Sequence, residues 1–364
     1  MDILLLGGSN TGWHYGWAAQ FGAIVPEHRV TNRFLGAVGS LYGLMRLLRL
    51  GEGQEPPPQL VIFEYALNDA WLLDAGWLRV DLLEDTLREV AELCRERSLP
   101  LLLLCLQPRP HGTARVAAAT RRAMTCYRRL AERHGLHPCV TLHEALGGVR
   151  FEDYFNQLHL TPAASIRVAE HLAATLRGAS IPVPRSAKAA RPSFRFVPAR
   201  EALTSGPCRR VELASKVYSD EFLEISRGGA SFWPGRGRLV ALMLHTTENA
   251  GVYRLAVEGR SLRKTAQSEI REVLPKVLLL HYVRAQPIAN EDLEISMPVE
   301  EDALMSLEED RTLHGAPSAA AFEAQKLEIA GVMFWSGAAW RRRLLAAIRT
   351  RIDAQVPWLA LWGG

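Results

Sequence analysis

The chain of 364 residues is two to three times the length of a typical domain of about 100–150 residues, which predicts two domains. Hydrophobic residues make up 48% and charged residues 23% of the sequence, which excludes a disordered, collagen-like or coiled-coil protein. The formal net charge of +4 gives no sign of the concentrated basic face that a nucleic-acid-binding protein needs.

The first 180 residues predict short buried strands that alternate with helices. Strands are predicted at 2–6, 29–32, 60–65, 100–106 and 139–142, and helices at 12–21, 40–50, 80–97, 114–134 and 162–176. This alternation indicates a parallel, flavodoxin-like sheet in a three-layer α/β/α sandwich. Ligands bind beyond the carboxyl ends of the strands in such sheets, so functional residues are expected just after strands.

The second half of the chain follows a different pattern. Residues 181–198 are rich in Pro, Ala and basic side chains without periodicity, which predicts a linker. Short strand candidates separated by turns then indicate a β-rich domain of β-sandwich or jelly-roll type over 199–364. It ends in a predicted C-terminal helix at 338–354. The predicted boundaries are therefore 1–180, 181–198 and 199–364.

The cysteines and the N-terminal segment predict the cellular compartment of the protein. Five cysteines at irregular spacing, with no CxxC pair, predict buried reduced thiols instead of disulfides or zinc ligands. The N-terminal MDILLLGGSN lacks the regions of a signal peptide, and no stretch reaches the ~18 apolar residues of a membrane span. A cytoplasmic protein without an integral membrane span is expected.

The first motif, Gly7-Gly8-Ser9-Asn10, directly follows the first predicted strand. Glycines allow a sharp turn, and a serine at the start of a helix exposes its hydroxyl and its N–H at the ligand edge of the sheet. The same position also suits a helix N-cap. Ser9 is therefore either a nucleophile or a capping residue.

Two further motifs follow strands along the chain. The segment 35–40 carries Gly36 and Gly39, either of which can offer a backbone N–H to an oxyanion or form an ordinary turn. Asn68 and Asp69 follow the strand at 60–65. The Asn68 amide can point at the same oxyanion, and Asp69 can cap the next helix or brace the loop, although such pairs are also common in turns.

The fourth motif lies just before the last predicted helix of the first half. His159 stands in the run Asp153-Tyr154-Phe155-Asn156-Gln157-Leu158-His159-Leu160-Thr161. A histidine at the end of an α/β sheet can act as the general base for a serine. A surface or capping histidine is the alternative.

In this order and spacing the four motifs resemble those of the SGNH hydrolases, also called the GDSL lipase/esterase superfamily, over residues 1–180. The resemblance implies that Ser9 is the nucleophile and the first oxyanion donor. It implies that Gly39, with Gly36 as the fallback, gives the second donor. The third donor is then the side chain of Asn68, and the base is His159.

One departure from the family concerns the partner of the histidine. The family's D-x-x-H motif reads Asn156-Gln157-Leu158-His159 here, so an amide replaces the carboxylate that normally orients the base. In the serine-protease template, the equivalent Asp→Asn change costs about 10⁴ in kcat. Three solutions stay open: a Ser-His dyad that uses a backbone carbonyl, recruitment of Asp153, or a reaction that needs a weaker base.

The resemblance implies an esterase or deacetylase that acts on an acylated saccharide, a glycoconjugate or another small ester. It implies no metal and no organic cofactor. Two alternatives remain. One is a polysaccharide O-acyltransferase, as in capsule or O-antigen modification. The other is a catalytically silent SGNH-like scaffold whose β-rich domain binds a glycan or a partner protein. The sequence carries no signal for the oligomeric state.

Overall fold

The structure is a computed structural model that describes residues 1–52, 56–110, 112–186, 193–214, 218–232, 237–272, 277–289 and 293–337. An α/β domain comes first and a β-rich domain follows, which confirms the predicted fold class. The predicted C-terminal helix at 338–354 lies outside the described residues.

Five strands form the central sheet of the first domain: β1 (Asp2–Gly7), β2 (Arg29–Asn32), β3 (Leu60–Glu64), β4 (Leu101–Cys105) and β5 (Cys139–Thr141). Their spatial order is β2-β1-β3-β4-β5, and all four pairings are parallel. Every residue of β3 and β4 is buried, as expected for strands that are covered on both faces. The carboxyl ends of all five strands therefore meet at one edge.

The helices described around this sheet are α1 (Ser9–Gly12), α2 (Trp17–Ile24), α3 (Ser40–Leu48), α4 (Ala66–Ala75), α5 (Val80–Glu96), α6 (Ala114–His134), α7 (Leu142–Leu146) and α8 (Pro162–Gly178). Alternate strand residues face opposite layers. Ile3 and Leu102 belong to the apolar cluster under α2 and α8, whereas Leu4 and Leu103 belong to the cluster under α3, α5 and α6. The result is the expected three-layer sandwich.

The helices differ from the sequence prediction at three places, one of which is the unpredicted short helix α7. The helix expected at 12–21 is split, because α1 ends at Gly12 and α2 begins only at Trp17. The sequence also predicted no helix directly after β3, where the structure has α4. This helix is buried on most of its surface and includes the polar residues Asn68 and Asp69, so it lacks the amphipathic pattern that reveals a surface helix.

The second domain contains the strands β6 (Ser193–Pro198), β7 (Leu203–Ser205), β8 (Cys208–Ala214), β9 (Ser219–Ile225), β10 (Gly229–Phe232), β11 (Gly237–Thr246), β12 (Val252–Val257), β13 (Arg260–Thr265), β14 (Val277–Tyr282), β15 (Ile288–Ala289), β16 (Leu293–Ser296), β17 (Glu308–Glu309) and β18 (Leu327–Ser336). One sheet has the order β17-β13-β12-β16-β10-β7. The other has the order β14-β11-β18-β9-β8, with β15 on β11 and β6 on β18. A shared apolar cluster makes the two sheets a sandwich.

The predicted linker is partly wrong. Residues 193–198, which the composition assigned to a linker, form β6 and pair antiparallel with β18. Phe194 and Val197 are buried, so apolar side chains within the basic and Pro-rich segment decide its structure. The β-rich domain therefore already includes Ser193.

The two domains share one apolar core. Leu41 of α3 and Leu87 of α5 belong to the same cluster as Phe222, Met243 and Met333 of the β-rich domain. The indole N–H of Trp335 also donates to Asp85 Oδ2 at 3.0 Å. The second domain is therefore packed onto the α3 and α5 layer of the first.

An ion pair between the domains gives a stability prediction. Arg49, just after α3, binds Asp220 of β9 through both terminal guanidinium nitrogens, and the side chain of Asp220 is 4% exposed. Because Arg49→Ala leaves a buried carboxylate without its cation, we expect the free energy of unfolding to fall by about 2–3 kcal/mol. Urea denaturation measures the loss. The matched variant Arg29→Ala breaks the exposed pair with Asp2 and should cost under about 1 kcal/mol; equal losses would contradict the prediction.

Candidate active site

Ser9 lies in a tight turn at the carboxyl end of β1. Only glycine fits at positions 7 and 8. A Cβ at Gly7 would overlap the side chain of Thr11, and a Cβ at Gly8 would overlap the side-chain amide of Asn68. Ser9 is the first residue of α1, whose N-cap is Gly8. The Ser9 hydroxyl therefore does not cap the helix, which rules out the capping interpretation.

The Ser9 hydroxyl contacts His159, which is 150 residues away in the chain. Ser9 Oγ lies 2.8 Å from His159 Nε2, within hydrogen-bond distance. The structure therefore brings the serine of the first motif and the histidine of the fourth motif together at the carboxyl edge of the sheet. His159 is half-buried, and the N-cap of α8 is Thr161, so His159 is not a capping residue.

Asn10 joins the two motifs, a role that the sequence analysis missed. Its Nδ2 donates to the carbonyl of Leu158 at 2.8 Å, and its Oδ1 accepts the N–H of Leu160 at 3.0 Å. The side chain thus holds the backbone on both sides of His159, directly beside Ser9. Asn10 is 5% exposed, so water competes little for these bonds.

Asn156 is the partner of the second imidazole nitrogen. His159 Nδ1 lies 3.1 Å from Asn156 Oδ1 and 3.0 Å from Nδ2. Oδ1 also accepts the N–H groups of Leu158 and His159 at 2.9 Å, which fixes the orientation of the amide. A base at Nε2 requires its proton at Nδ1, and that N–H would then donate a hydrogen bond to Asn156 Oδ1. The amide carries no charge that would stabilise the imidazolium.

Asp153, one of the three solutions that the sequence left open, does not take the place of the missing carboxylate. Its Oδ2 accepts the N–H of Arg150 at 2.7 Å, and its Oδ1 lies 3.6 Å from Arg167 Nη1. Its bonds therefore stabilise the turn before His159 instead of the imidazole. The backbone-carbonyl dyad is also wrong, because the Asn156 side chain is the group at Nδ1.

The ring of His159 is stacked on Trp13, which the sequence analysis did not single out. The ring centroids are 4.0 Å apart and the planes differ by 21°. Burial lowers the pKa of His159 below its usual value, so the imidazole is neutral at pH 7. Neutral imidazole is the form that accepts a proton from serine.

The structure gives Gly39 and Gly36, the two glycines considered as the second oxyanion donor, different surroundings. The N–H of Gly39 donates to the hydroxyl of Tyr282 at 3.0 Å, and a Cβ at Gly39 would meet Asp69, Leu72 and Tyr282. Gly36 is the glycine that lies beside the nucleophile, because a Cβ there would have Ser9 Cβ as its nearest neighbour at 3.8 Å. Both glycines lie within four residues before α3, so their positions in the sequence alone did not show which of them lies beside Ser9.

Asn68 lies against the nucleophile turn. It belongs to the first turn of α4, is 5% exposed and approaches Gly8 so closely that no side chain fits there. Its Oδ1 is buried and makes no hydrogen bond within the described part of the chain. Its neighbour Asp69 braces the loop, since Oδ1 accepts the N–H of Ser40 at 2.9 Å and Oδ2 accepts the hydroxyl of Tyr127 at 2.8 Å.

Glu64 is a buried carboxyl group directly beneath the nucleophile turn. Its Oε2 accepts the hydroxyl of Thr11 at 2.9 Å and the N–H of Gly8 at 3.3 Å. Burial raises its pKa to about 8, so it is mostly protonated at neutral pH and adds little negative charge behind Ser9. The sequence feature that could have revealed Glu64 is its place as the charged last residue of the otherwise apolar strand β3.

The described residues hold neither a cluster suited to a metal ion nor a helix suited to a membrane. No group of three or more His, Cys, Asp or Glu side chains converges there in a way that could hold a metal ion. None of the helices in the described ranges has both the length and the apolar character needed to cross a membrane.

No family model and no curated protein matches this sequence. Among solved structures, a two-domain esterase (CEX) active on acetylated mannans is similar, with a TM-score of 0.60 and 15% identity. The match covers 93% of this chain and 91% of that one. A putative lipolytic protein of the G-D-S-L family from Desulfitobacterium hafniense DCB-2 matches 48% of this chain and 98% of its own, at 14% identity and a TM-score of 0.39. The first match shows that both domains follow a known two-domain fold.

Proposed function

We propose that the chain is a serine esterase of SGNH type that removes acyl groups from an acylated carbohydrate. The contact of 2.8 Å between Ser9 Oγ and His159 Nε2 carries the proposal, because it pairs a nucleophile with a base. The similar two-domain structure is that of an esterase active on acetylated mannans, which favours a carbohydrate ester as the substrate class.

Acylation begins with attack of Ser9 Oγ on the ester carbonyl carbon. His159 Nε2 accepts the hydroxyl proton as the new C–O bond forms, and the carbonyl oxygen becomes an oxyanion. The N–H of Ser9, the N–H of Gly36 and the amide of Asn68 are the proposed donors to this oxyanion. When the tetrahedral intermediate collapses, the C–O bond to the sugar breaks and His159 returns the proton to the leaving sugar oxygen.

Deacylation repeats these steps with water. His159 accepts a proton from water as the water oxygen attacks the acyl carbon of the Ser9 ester. The second tetrahedral intermediate then releases the carboxylic acid, and Ser9 recovers its proton. Each half-reaction begins with a neutral His159, and burial favours this form because it lowers the pKa of the imidazole.

The direct test is acetate release from acetylated mannan by the full chain. We expect wild-type protein to release acetate and to react at Ser9 with a fluorophosphonate probe, and Ser9→Ala to do neither. Acetylated xylan serves as a second polysaccharide that reports selectivity for the sugar. The proposal fails if folded wild-type protein neither releases acetate from acetylated mannan or p-nitrophenyl acetate nor takes up the probe.

Asn156 favours a second candidate, a catalytically silent scaffold that binds a glycan or partner protein. The amide removes the charge that normally stabilises the imidazolium, which is the change expected where chemistry has been lost. The probe separates the candidates, because a silent site leaves Ser9 unlabelled. An O-acyltransferase shares the acylation step and differs in the acceptor, so an added saccharide would receive the acyl group in place of water.

Asn156→Asp gives a prediction for the pH dependence of the reaction. Aspartate at this position accepts the same backbone N–H groups and adds a negative charge beside His159 Nδ1. We expect kcat to rise roughly tenfold or more, because the charge stabilises the imidazolium and selects the tautomer with the proton on Nδ1. The charge also raises the pKa of His159, so the acidic limb of the pH–rate profile should move to higher pH.

The control for this prediction is Asp153→Asn, which removes the nearby carboxylate that the structure places on Arg150 and Arg167. We expect its acidic limb to coincide with that of wild type, because the Asp153 carboxylate does not contact the imidazole. If the acidic limb of the pH–rate profile moved in Asp153→Asn but not in Asn156→Asp, Asp153 would be the true partner of His159.

A further inference from the structure

A side chain of the β-rich domain binds the backbone of the loop beside the nucleophile. The hydroxyl of Tyr282, at the end of β14, accepts the N–H of Gly39 at 3.0 Å across 243 residues of sequence. Tyr282 is 1% exposed and Gly39 is buried, so water cannot readily replace either partner. A buried N–H that loses its acceptor costs about 1–3 kcal/mol.

The loop that Tyr282 binds is the one that carries Gly36. Gly36, which lies against Ser9, precedes Gly39 by three positions. Ala37 between them has a φ of 56°, a left-handed conformation that a non-glycine residue holds only when its surroundings impose it. On the far side of Gly39, the N–H of Ser40 is bound by Asp69. Tyr282 and Asp69 thus hold adjacent amides at the end of a strained turn.

Tyr282 is itself held firmly by its own domain. Lys264 Nζ donates to the carbonyl of Tyr282 at 3.1 Å and forms an ion pair with Asp310 Oδ2 at 2.9 Å. Lys264 is 1% exposed, and Tyr282 pairs with Ala241 in the sheet. The hydroxyl therefore has a fixed position relative to the β-rich domain, which is packed against the first domain through their shared core.

We propose that Tyr282 is a positioning residue through which the β-rich domain holds the Gly36 loop against Ser9. The inference rests on the proposed function, in which Gly36 donates to the oxyanion. It assigns the second domain a part in catalysis that does not require contact with the substrate. Without the hydroxyl, Gly39 would lack an acceptor and the loop would relax from its strained conformation.

The test uses Tyr282→Phe in the full chain, which removes one hydroxyl and keeps the ring. With p-nitrophenyl acetate we expect kcat to fall about 10- to 10²-fold while KM stays within about twofold, because oxyanion contacts strengthen only in the transition state. The matched control is Tyr253→Phe in the same domain. Tyr253 is fully buried, and its hydroxyl has no hydrogen-bond partner within the described residues, so kcat should not change.

Amide hydrogen exchange tests the loop without relying on activity. In Tyr282→Phe, the peptide that covers residues 35–41 should exchange about tenfold faster than in wild type or Tyr253→Phe. The inference is overturned if exchange in this peptide matches that of Tyr253→Phe, or if kcat is unchanged although the loop exchanges faster. An inactive, unlabelled wild type would instead refute the proposed function, and the exchange comparison would still decide whether Tyr282 holds the loop.

Discussion

Replacing Ser9 with alanine is expected to lower kcat for ester hydrolysis by roughly 10⁴- to 10⁶-fold. The substitution removes the oxygen that forms the covalent bond, and no other hydroxyl is described at this distance from His159 Nε2. Binding of substrate should change little, because the N–H of residue 9 and the Asn68 amide stay in place. The loss should therefore appear in kcat and leave KM nearly unchanged.

His159→Ala is expected to reduce kcat to a similar level, and the double variant should be no slower than either single variant. Serine and histidine act as a unit, so removing the second member has little further effect. Rates of p-nitrophenyl acetate hydrolysis and of labelling by a fluorophosphonate measure both variants. Ser193→Ala, which changes an exposed serine of β6, provides the control for the substitution itself. Labelling that survives in Ser9→Ala would assign the nucleophile elsewhere.

Asn68→Ala is expected to lower kcat by roughly 10²- to 10³-fold with little change in KM, as for the loss of one oxyanion donor. The side chain lies against Gly8, next to the nucleophile, and its oxygen has no hydrogen bond within the described part of the chain. The proposed donor to the oxyanion is the Nδ2 of this amide, so its removal should act in the transition state. Because α4 is held by other buried residues, the variant should keep its fold.

Asn68→Asp sharpens this prediction. It keeps the shape of the side chain but replaces the N–H donor by a carboxylate, which repels an oxyanion, so its kcat should be at least as low as that of Asn68→Ala. Asn249→Ala, which makes the same Asn-to-Ala change in a turn of the β-rich domain, serves as the control for Asn68→Ala. A rise in KM at constant kcat would contradict the assignment and indicate that Asn68 binds substrate and transition state equally.

The sequence by itself determined the order of the elements and the edge at which the site forms. Apolar runs such as 60–64 and 101–105 are legible because burial on both faces selects continuous hydrophobic strands. A parallel sheet places every strand end at one edge, so Ser9 and His159 were expected to meet there, and they do. The change from helices to short strands also showed that a β-rich domain follows.

Only the tertiary structure decided which neighbouring residues face the site. Gly36 lies beside Ser9, whereas the N–H of Gly39 binds Tyr282, although the two glycines are only three positions apart. Likewise, Asp153 binds the N–H of Arg150 and does not contact His159. Periodicity reports which residues are buried, but it does not report the direction of a side chain or of an N–H within a loop. It also does not report contacts between domains, so the bond of Tyr282 to Gly39 becomes visible only after two distant segments have packed together.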